Sequence, residues 1–265
     1  MKYKDHIFDI GAFNGLDGIV LALKNKNMMV HAFEANPYLI SEIKNNIKKI
    51  ENFKKIKIKN YKINNLAVSD VSKYYNFNIA KNPTVSSLNE FSNNIDKTWP
   101  GYKEAHCTYV KKVKVKGVTL YKYCYDHNIK KINYIHIDTQ GNDLKVLKGL
   151  KKKINIVEKG VLEAAINKKN ALYKNNHTVK EVEKFLKKNK FSISEIESVD
   201  ENIKNEKNIF FKSCVKKEEI KVITKYNTRL LNRIILDKTN YKDKFFNNLK
   251  RLFYFISSTS KHPQL

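Results

Sequence analysis

The sequence predicts an α/β fold: one mostly parallel, seven-stranded sheet with helices on both faces, followed by a helical C-terminal extension. Three observations predict it. Short β-branched or aromatic runs alternate with stretches of helical period from the start of the chain. A turn containing Gly11 and Gly15 joins the first such run to the first helical stretch, as in open sheets that bind ligands at their carboxyl edge. Beyond residue 215 the chain changes character, with Lys and Arg interleaved among Leu, Ile and Phe.

HIFDIGA (6–12) reads as the first strand, LDGIVLALKNK (16–26) as a helix and MMVHAFEA (28–35) as a second buried strand. PYLISEIKNNIKKI (37–50) opens on Pro37, whose missing N–H costs nothing in a first helical turn, and repeats Leu39, Ile43, Ile47 and Ile50 at helical spacing. YKINNLAVSD (61–70) reads as a strand and turn, and YYNFNIA (74–80) as an antiparallel addition. Residues 81–108 are rich in Asn and Ser and lack a period, so they form a long loop of the kind that serves as a lid or binding segment. YVKKVKVK (109–116) alternates with period two, as a half-exposed strand does, and TLYKYCYDHNI (119–129) follows as a short helix. INYIHIDT (132–139) is the next buried strand, NDLKVLKGLKK (142–152) a helix, and GVLEAAI (160–166) a strand that carries Glu163 in an apolar run. HTVKEVEKFLKKNK (177–190) is an amphipathic helix; FSISEIE (191–197) and NIFFKS (208–213) finish as strands. A catalytic domain over 1–215 and a basic amphipathic helical tail over 216–265 follow. The tail is expected to pack on the domain or on another subunit; peripheral membrane contact and, after it, nucleic acid are the alternatives.

Composition sets outer limits. A hydrophobic fraction of 42% supplies a sizeable core and excludes global disorder. The net charge of +26 invites a polyanionic partner, yet only Arg229, Arg233 and Arg251 are arginines. Lysine lacks the planar fork that reads phosphate, so a solvated surface is favoured over nucleic acid. The three cysteines, Cys107, Cys124 and Cys214, are widely spaced, forming neither a metal pattern nor a disulfide framework, and a reducing, cytoplasmic setting suits them. No run approaches the length of a membrane span and the first residues lack a signal-peptide core, which predicts a soluble chain.

The chemistry concentrates in DIGAFNG, Asp9 to Gly15. Gly11 and Gly15 allow close backbone approach, and Ala12 and Asn14 complete the loop. The spacing departs from the dinucleotide fingerprint, and the carboxylate of Asp9 would repel a pyrophosphate while suiting a ligand with ammonium and sulfonium groups. Glu34, followed by Ala35, ends the second strand, where an acid accepts hydrogen bonds from both ribose hydroxyls. Asp70 is the natural side chain for an adenine edge. Together these residues favour S-adenosylmethionine over a nicotinamide cofactor.

Taken with these, LAVSD, the serines of SSL (86–88), HIDTQGNDLKVLKG (136–149), VLEAAINKKNALY (161–173) and NIFFKS make the chain similar to the FkbM-type methyltransferases over nearly all of residues 6–213. The resemblance implies a Rossmann-like methyltransferase fold and O-methylation of hydroxyls on sugars or similar small acceptors. Where the family commonly reads KIDVEGAE, this chain has His136 for Lys, Gln140 for Glu and Asp143 for Glu.

Asp138 and Glu163 are expected at the ends of neighbouring strands. A carboxylate within reach of an acceptor hydroxyl takes its proton as the new bond forms. Glu163 is the stronger candidate base, and Asp138 an organiser of the acceptor or of the cofactor's amino group. His136 lies on Asp138's face by strand alternation and is read either as a second base or as a structural histidine. Ser86, Ser87 and Trp99 are candidates for acceptor contact. No cluster demands a metal. Two other readings compete. A nucleic-acid methyltransferase is suggested by charge, but DTQG stands where a base-amino enzyme would place an aromatic tetrapeptide. A non-catalytic cofactor-binding protein is opposed by the intact Asp9, Gly11, Gly15 and Glu34.

Overall fold

Side-chain alternation along the first strand decides which helices cover which face. In β1 (Asp5–Ile10), Phe8 and Ile10 point to one side of the sheet, and Ile7 and Asp9 to the other. Phe8 and Ile10 enter the largest core cluster. They meet Leu120 and Tyr123 of α4 (Leu120–Asp126), Leu144 and Leu147 of α5 (Asp143–Lys148), and Val182 and Leu186 of α6 (Val179–Lys188). Ile7 instead packs with Leu21 and Ala22 of α1 (Leu16–Lys24) and with Val30 of β2 (Met28–Phe33). α1 in turn meets Ile50 of α2 (Ile40–Lys54). Helices thus cover both faces, as predicted. This computed structural model describes residues 3–99, 101–200 and 203–215; the predicted tail over 216–265 lies outside the described residues.

The remaining strands of the main sheet are β3 (Tyr61–Asn64), β7 (Tyr134–Ile137), β8 (Lys159–Ala165), β9 (Phe191–Asp200) and β10 (Ile203–Ser213). Their order is β3-β2-β1-β7-β8-β10-β9. β3, β2, β1, β7 and β8 run parallel, while β10 pairs antiparallel with both β8 and β9. β1 sits between β2 and β7, so consecutive crossovers leave it in opposite directions, and the crevice at its carboxyl end is where such sheets take ligands. A second sheet, in the order β4-β6-β5, holds β4 (Ala67–Val68), β5 (Tyr74–Ala80) and β6 (Tyr109–Val118).

Several predicted boundaries move for local reasons. The expected strand over 61–70 splits into β3 and β4, because Asn64 turns its side-chain amide back to the Ala32 carbonyl and Asn65 donates to the Glu34 carbonyl. The expected helix over 142–152 stops at Lys148. Gly149 there packs against the Ser69 carbonyl, which a Cβ would meet at 2.4 Å, and a 3-10 turn over Lys151–Ile156 follows. The loop over 81–108 is less irregular than expected. It holds a 3-10 turn at Pro83–Val85, a helical turn α3 (Ile95–Thr98), and a bridge between Phe91 and Tyr173.

Beneath the sheet's carboxyl edge lies a buried polar chain. Tyr123 Oη donates to Asn64 Oδ1 at 3.0 Å, so it accepts from His31 Nδ1 at 2.9 Å. His31 Nε2 is then an acceptor and receives the proton of His6 Nδ1 at 2.9 Å. His31 is neutral in this arrangement. Burial lowers the His31 pKa to about 3 from 6.5, with the charges of Lys62 and neighbouring histidines acting in the same direction. Between those values the unfolded chain binds the proton and the folded chain does not, so stability is undiminished above pH 6.5 and is lost as pH falls toward 3. Urea unfolding at pH 7.5 and 5 is expected to show a lower midpoint at pH 5, and a His31→Phe variant a smaller difference between the two.

Candidate active site

The turn after β1 is built around positive φ angles. Gly11 (φ 90) and Gly15 (φ 80) flank Phe13, itself at φ 49. The amides of Gly11 and Ala12 both donate to the Phe33 carbonyl at 2.9 Å, which pins the loop to the end of β2. Asn14 Oδ1 accepts from the Leu16 amide, and the Asn14 carbonyl accepts from Asn46 of α2. Ala12 is buried; Asn14 is half-buried.

Glu34 stands one residue past β2 and is 6% exposed. Its two carboxylate oxygens accept from the amides of Phe13 and Asn36, each at 2.7 Å. Burial raises its pKa to about 7, against the pull of those two amides. Phe13 and Asn36 were not singled out from sequence, although Asn36 before Pro37 is a recognisable helix-start pair. Ala35 is half-buried beside the second sheet's cluster. Asp70 is half-buried after β4 and accepts from Ser69 Oγ at 3.2 Å. Asn142, at the start of α5, donates to the Val68 carbonyl and so ties that turn to the main sheet.

Asp9 is 1% exposed. Its Oδ1 meets His136 Nδ1 at 3.0 Å, and its other oxygen lies against Gly18 of α1, where a Cβ would approach to 2.5 Å. Both oxygens of Asp9 thus lie against protein, Oδ1 against His136 and the other against Gly18. His136 is pushed up to about 9: burial acts against the charge, but the hydrogen bond and charge of Asp9, with Asp138 adding, outweigh it. At neutral pH it is an imidazolium without a free lone pair. Paired in this way, His136 is the cation that balances Asp9.

Asp138 and Glu163 are brought together. Ile137 pairs with Leu162, so the next residue of each parallel strand stands side by side on the face of Asp9 and His136. Both are half-buried. Glu206 of β10, opposite Ala165, shares that face and is pushed up to about 8 by burial and by Asp143 and Asp138. Burial raises Glu163 well above its ordinary range, with Asp138, Glu206 and Asp143 adding to the effect. Asp143 accepts from the Thr139 amide and hydroxyl and is pushed up to about 7 by burial and Asp138. Among the described residues no group of three or more His, Cys, Asp or Glu is placed to hold a metal ion.

The loop candidates have internal partners. Ser86 Oγ accepts from the Ala80 amide, and Ser87 Oγ donates to the Gln140 carbonyl at 2.6 Å while accepting from the Asn89 amide. Ser87 is 0% exposed, and its hydroxyl braces the loop. Trp99 donates its indole N–H to the Asn170 carbonyl and packs beside Ile95, Leu172 and Tyr173, sealing the loop against the domain. Gln140 and Tyr173 were also missed as site residues. Gln140 donates to Asp138 at 2.6 Å, and Tyr173, 1% exposed, reaches Gln140 from the far side.

No curated protein matches the sequence. Among solved structures the chain is similar to methyltransferase FkbM from Methylobacillus flagellatus KT, with 10% identity, 79% of this chain and 44% of that one covered, and a TM-score of 0.46. It thus spans less than half the length of that protein. It is also similar to M. capricolum TrmK in complex with S-adenosyl-homocysteine (13% identity, 98% and 81% covered, TM-score 0.44). A third likeness is to Aeropyrum pernix fibrillarin with natively bound S-adenosyl-L-methionine (9% identity, 79% and 67% covered, TM-score 0.41). The family model for the methyltransferase FkbM domain matches residues 9–193, from Asp9 through the last parallel strand and its helix. The chain belongs to the FkbM methyltransferase family.

Proposed function

We propose that this chain is an O-methyltransferase whose acceptor is a hydroxyl of a sugar, a glycan or a similar small molecule. The observation that carries the reading is the pair of half-buried carboxylates, Asp138 and Glu163, side by side at the crevice that Gly11 and Glu34 border. The family uses S-adenosylmethionine, which supplies an electrophilic methyl group on a sulfonium. The residues present suit such a group. Glu34 is buried at the end of β2 with both oxygens oriented by backbone amides, as a ribose-binding acid needs to be. Gly11 lies so close to Asp138 that a Cβ could not be accommodated, which keeps the crevice floor thin. The carboxylates on the Asp138 face oppose one another's ionisation, so a cationic ligand relieves a repulsion already present.

Glu163 acts as base: it takes the acceptor hydroxyl's single proton, while Asp138 orients the acceptor by accepting from a neighbouring hydroxyl, or holds the cofactor's amino group. A raised pKa makes Glu163 the stronger base once ionised, and so activity rises with pH as it loses its proton. Asp9 and His136 form a charge-balanced floor. The three cysteines are free, with Cys107 and Cys124 buried, which suits a cytoplasmic setting. Among the described residues no helix is long and apolar enough to cross a membrane.

The test is transfer of isotope-labelled methyl from S-adenosylmethionine to a panel of mono- and oligosaccharides, with RNA as the comparison acceptor. Glu163→Gln is expected to lower kcat by about 10²- to 10³-fold while leaving cofactor affinity within a few-fold. Transfer to RNA and not to any saccharide would overturn the acceptor assignment.

A further inference from the structure

One hydroxyl proton in the site has two acceptors to serve. Tyr173 Oη lies 2.9 Å from the Val85 carbonyl and 2.8 Å from Gln140 Oε1, and a phenol carries a single proton. Gln140 in turn places its amide 2.6 Å from Asp138 Oδ1. Proton counting allows two self-consistent arrangements. With Asp138 ionised, the Gln140 NH₂ donates to it, Gln140 Oε1 takes the Tyr173 proton, and Val85 goes without. With Asp138 protonated, Asp138 donates to Gln140 Oε1, the Gln140 NH₂ turns to Tyr173, and the Tyr173 hydroxyl turns to the Val85 carbonyl.

The surroundings hold these groups in place. Gln140 has a left-handed backbone (φ 55), and its carbonyl is clasped by Ser87 Oγ at 2.6 Å. Gly141 follows at φ 87, packed so closely on the Tyr173 ring that a Cβ would sit 2.9 Å from it. Tyr173 stacks on Phe91, and Phe91 on Tyr109, both in or bordering the loop over 81–108. The Ser92 amide donates to the Leu172 carbonyl, and the Lys174 amide to the Glu90 carbonyl. The side chain of Gln140 therefore spans from Asp138 to a braced loop segment.

We propose that Gln140 is a positioning residue that ties the charge of Asp138 to the loop over 81–108, its amide reversing direction with that charge and turning the Tyr173 hydroxyl to or from the Val85 carbonyl. The proposal rests on the reading of Asp138 as part of the active site. The ionisable groups affecting Asp138 are His136 on β7, Asp9 on β1, Asp17 on α1, Asp143 on α5, Glu163 on β8, Glu206 on β10 and Glu34 past β2. Burial pushes the Asp138 carboxyl up, and the His136 charge and the Gln140 amide oppose that rise.

The two arrangements make opposite demands on two substitutions. Gln140→Met keeps the side-chain length and removes a charge-assisted donor from the ionised form against a weaker neutral acceptor from the protonated form, so the Asp138 midpoint rises. Tyr173→Phe removes two hydrogen bonds from the protonated arrangement and one from the ionised arrangement, so the midpoint falls. The experiment is a titration of carboxyl-¹³C-aspartate-labelled full-length protein by NMR without ligand, the Asp138 resonance being assigned with Asp138→Asn. A rise of about one pH unit for Gln140→Met and a fall of about half a unit for Tyr173→Phe are expected. Shifts of the same sign in both variants, or no shift in either, would overturn the proposal; loss of packing alone has no reason to produce opposite signs. Repeating the wild-type titration with saturating S-adenosylmethionine separates the two readings. A midpoint unmoved by the cofactor, with the opposite mutant shifts intact, would remove Asp138 from the active site and leave its link to the loop standing.

Discussion

Gly11→Ala is expected to lower the stability of the protein by about 3 to 5 kcal/mol, a combined cost of strained backbone and overpacking. The added Cβ would lie 1.7 Å from the Asp138 carbonyl oxygen and 2.7 Å from its carbonyl carbon, both backbone atoms of a sheet strand's end that cannot swing aside. The residue's φ of 90 strains an L side chain even without that contact. Gly101→Ala separates the two contributions. Its φ is 82, but the nearest atom to a new Cβ is Glu104 Oε2 at 4.0 Å, so only the conformational cost of about 1 to 2 kcal/mol applies. Denaturant unfolding of both variants against wild type measures the difference. Equal losses would show that the crevice floor yields, and the role given to Gly11 would fall.

Glu34→Ala is expected to weaken binding of S-adenosylmethionine by about 100-fold, the equivalent of two charge-assisted hydrogen bonds at roughly 1.5 kcal/mol each. The Phe13 and Asn36 amides, both held at 2.7 Å by this carboxylate, would lose their partner, so the glycine turn loosens as the ribose acid is removed. Glu34→Gln is expected to do little better, because one of its two ends presents an N–H to an N–H. A pH dependence accompanies the effect. With its pKa raised to about 7, Glu34 is part-protonated near neutrality, and a ligand that needs the anion binds more tightly as pH rises from 6 to 8. Calorimetry across that range in wild type and Glu34→Ala checks this. Affinity that is unchanged by the substitution would place the ribose elsewhere.

How far the site was legible depends on how local each feature is. DIGAFNG and FEANP could be read because a turn after a strand needs glycine where φ is positive, and a strand-end acid needs only its own position. The proximity of Asp138 and Glu163 followed from two strand ends, provided the strands were neighbours, which β7 and β8 are. The role of His136 could not be read. Its partner Asp9 is 127 positions away, and only the pairing of β1 with β7 sets His136 opposite it. The partners of the serines could not be read, because their hydroxyls meet backbone groups, Ser86 at Ala80 and Ser87 at Gln140 and Asn89, that a loop composition does not disclose.

The sequence by itself determined the α/β class, the strand and helix succession, the glycine turn and the acid that follows it, because periodicity and turn chemistry are short-range properties of the chain. The tertiary structure alone decided the charge of His136, the coupling of Gln140 to Tyr173 and the mutual opposition of Asp138, Glu163 and Glu206. Those depend on strand order and burial. The ionisation of a carboxylate is set by what lies within a few ångströms of it, and in this fold those neighbours come from β1, β7, β8 and β10, segments far apart along the chain.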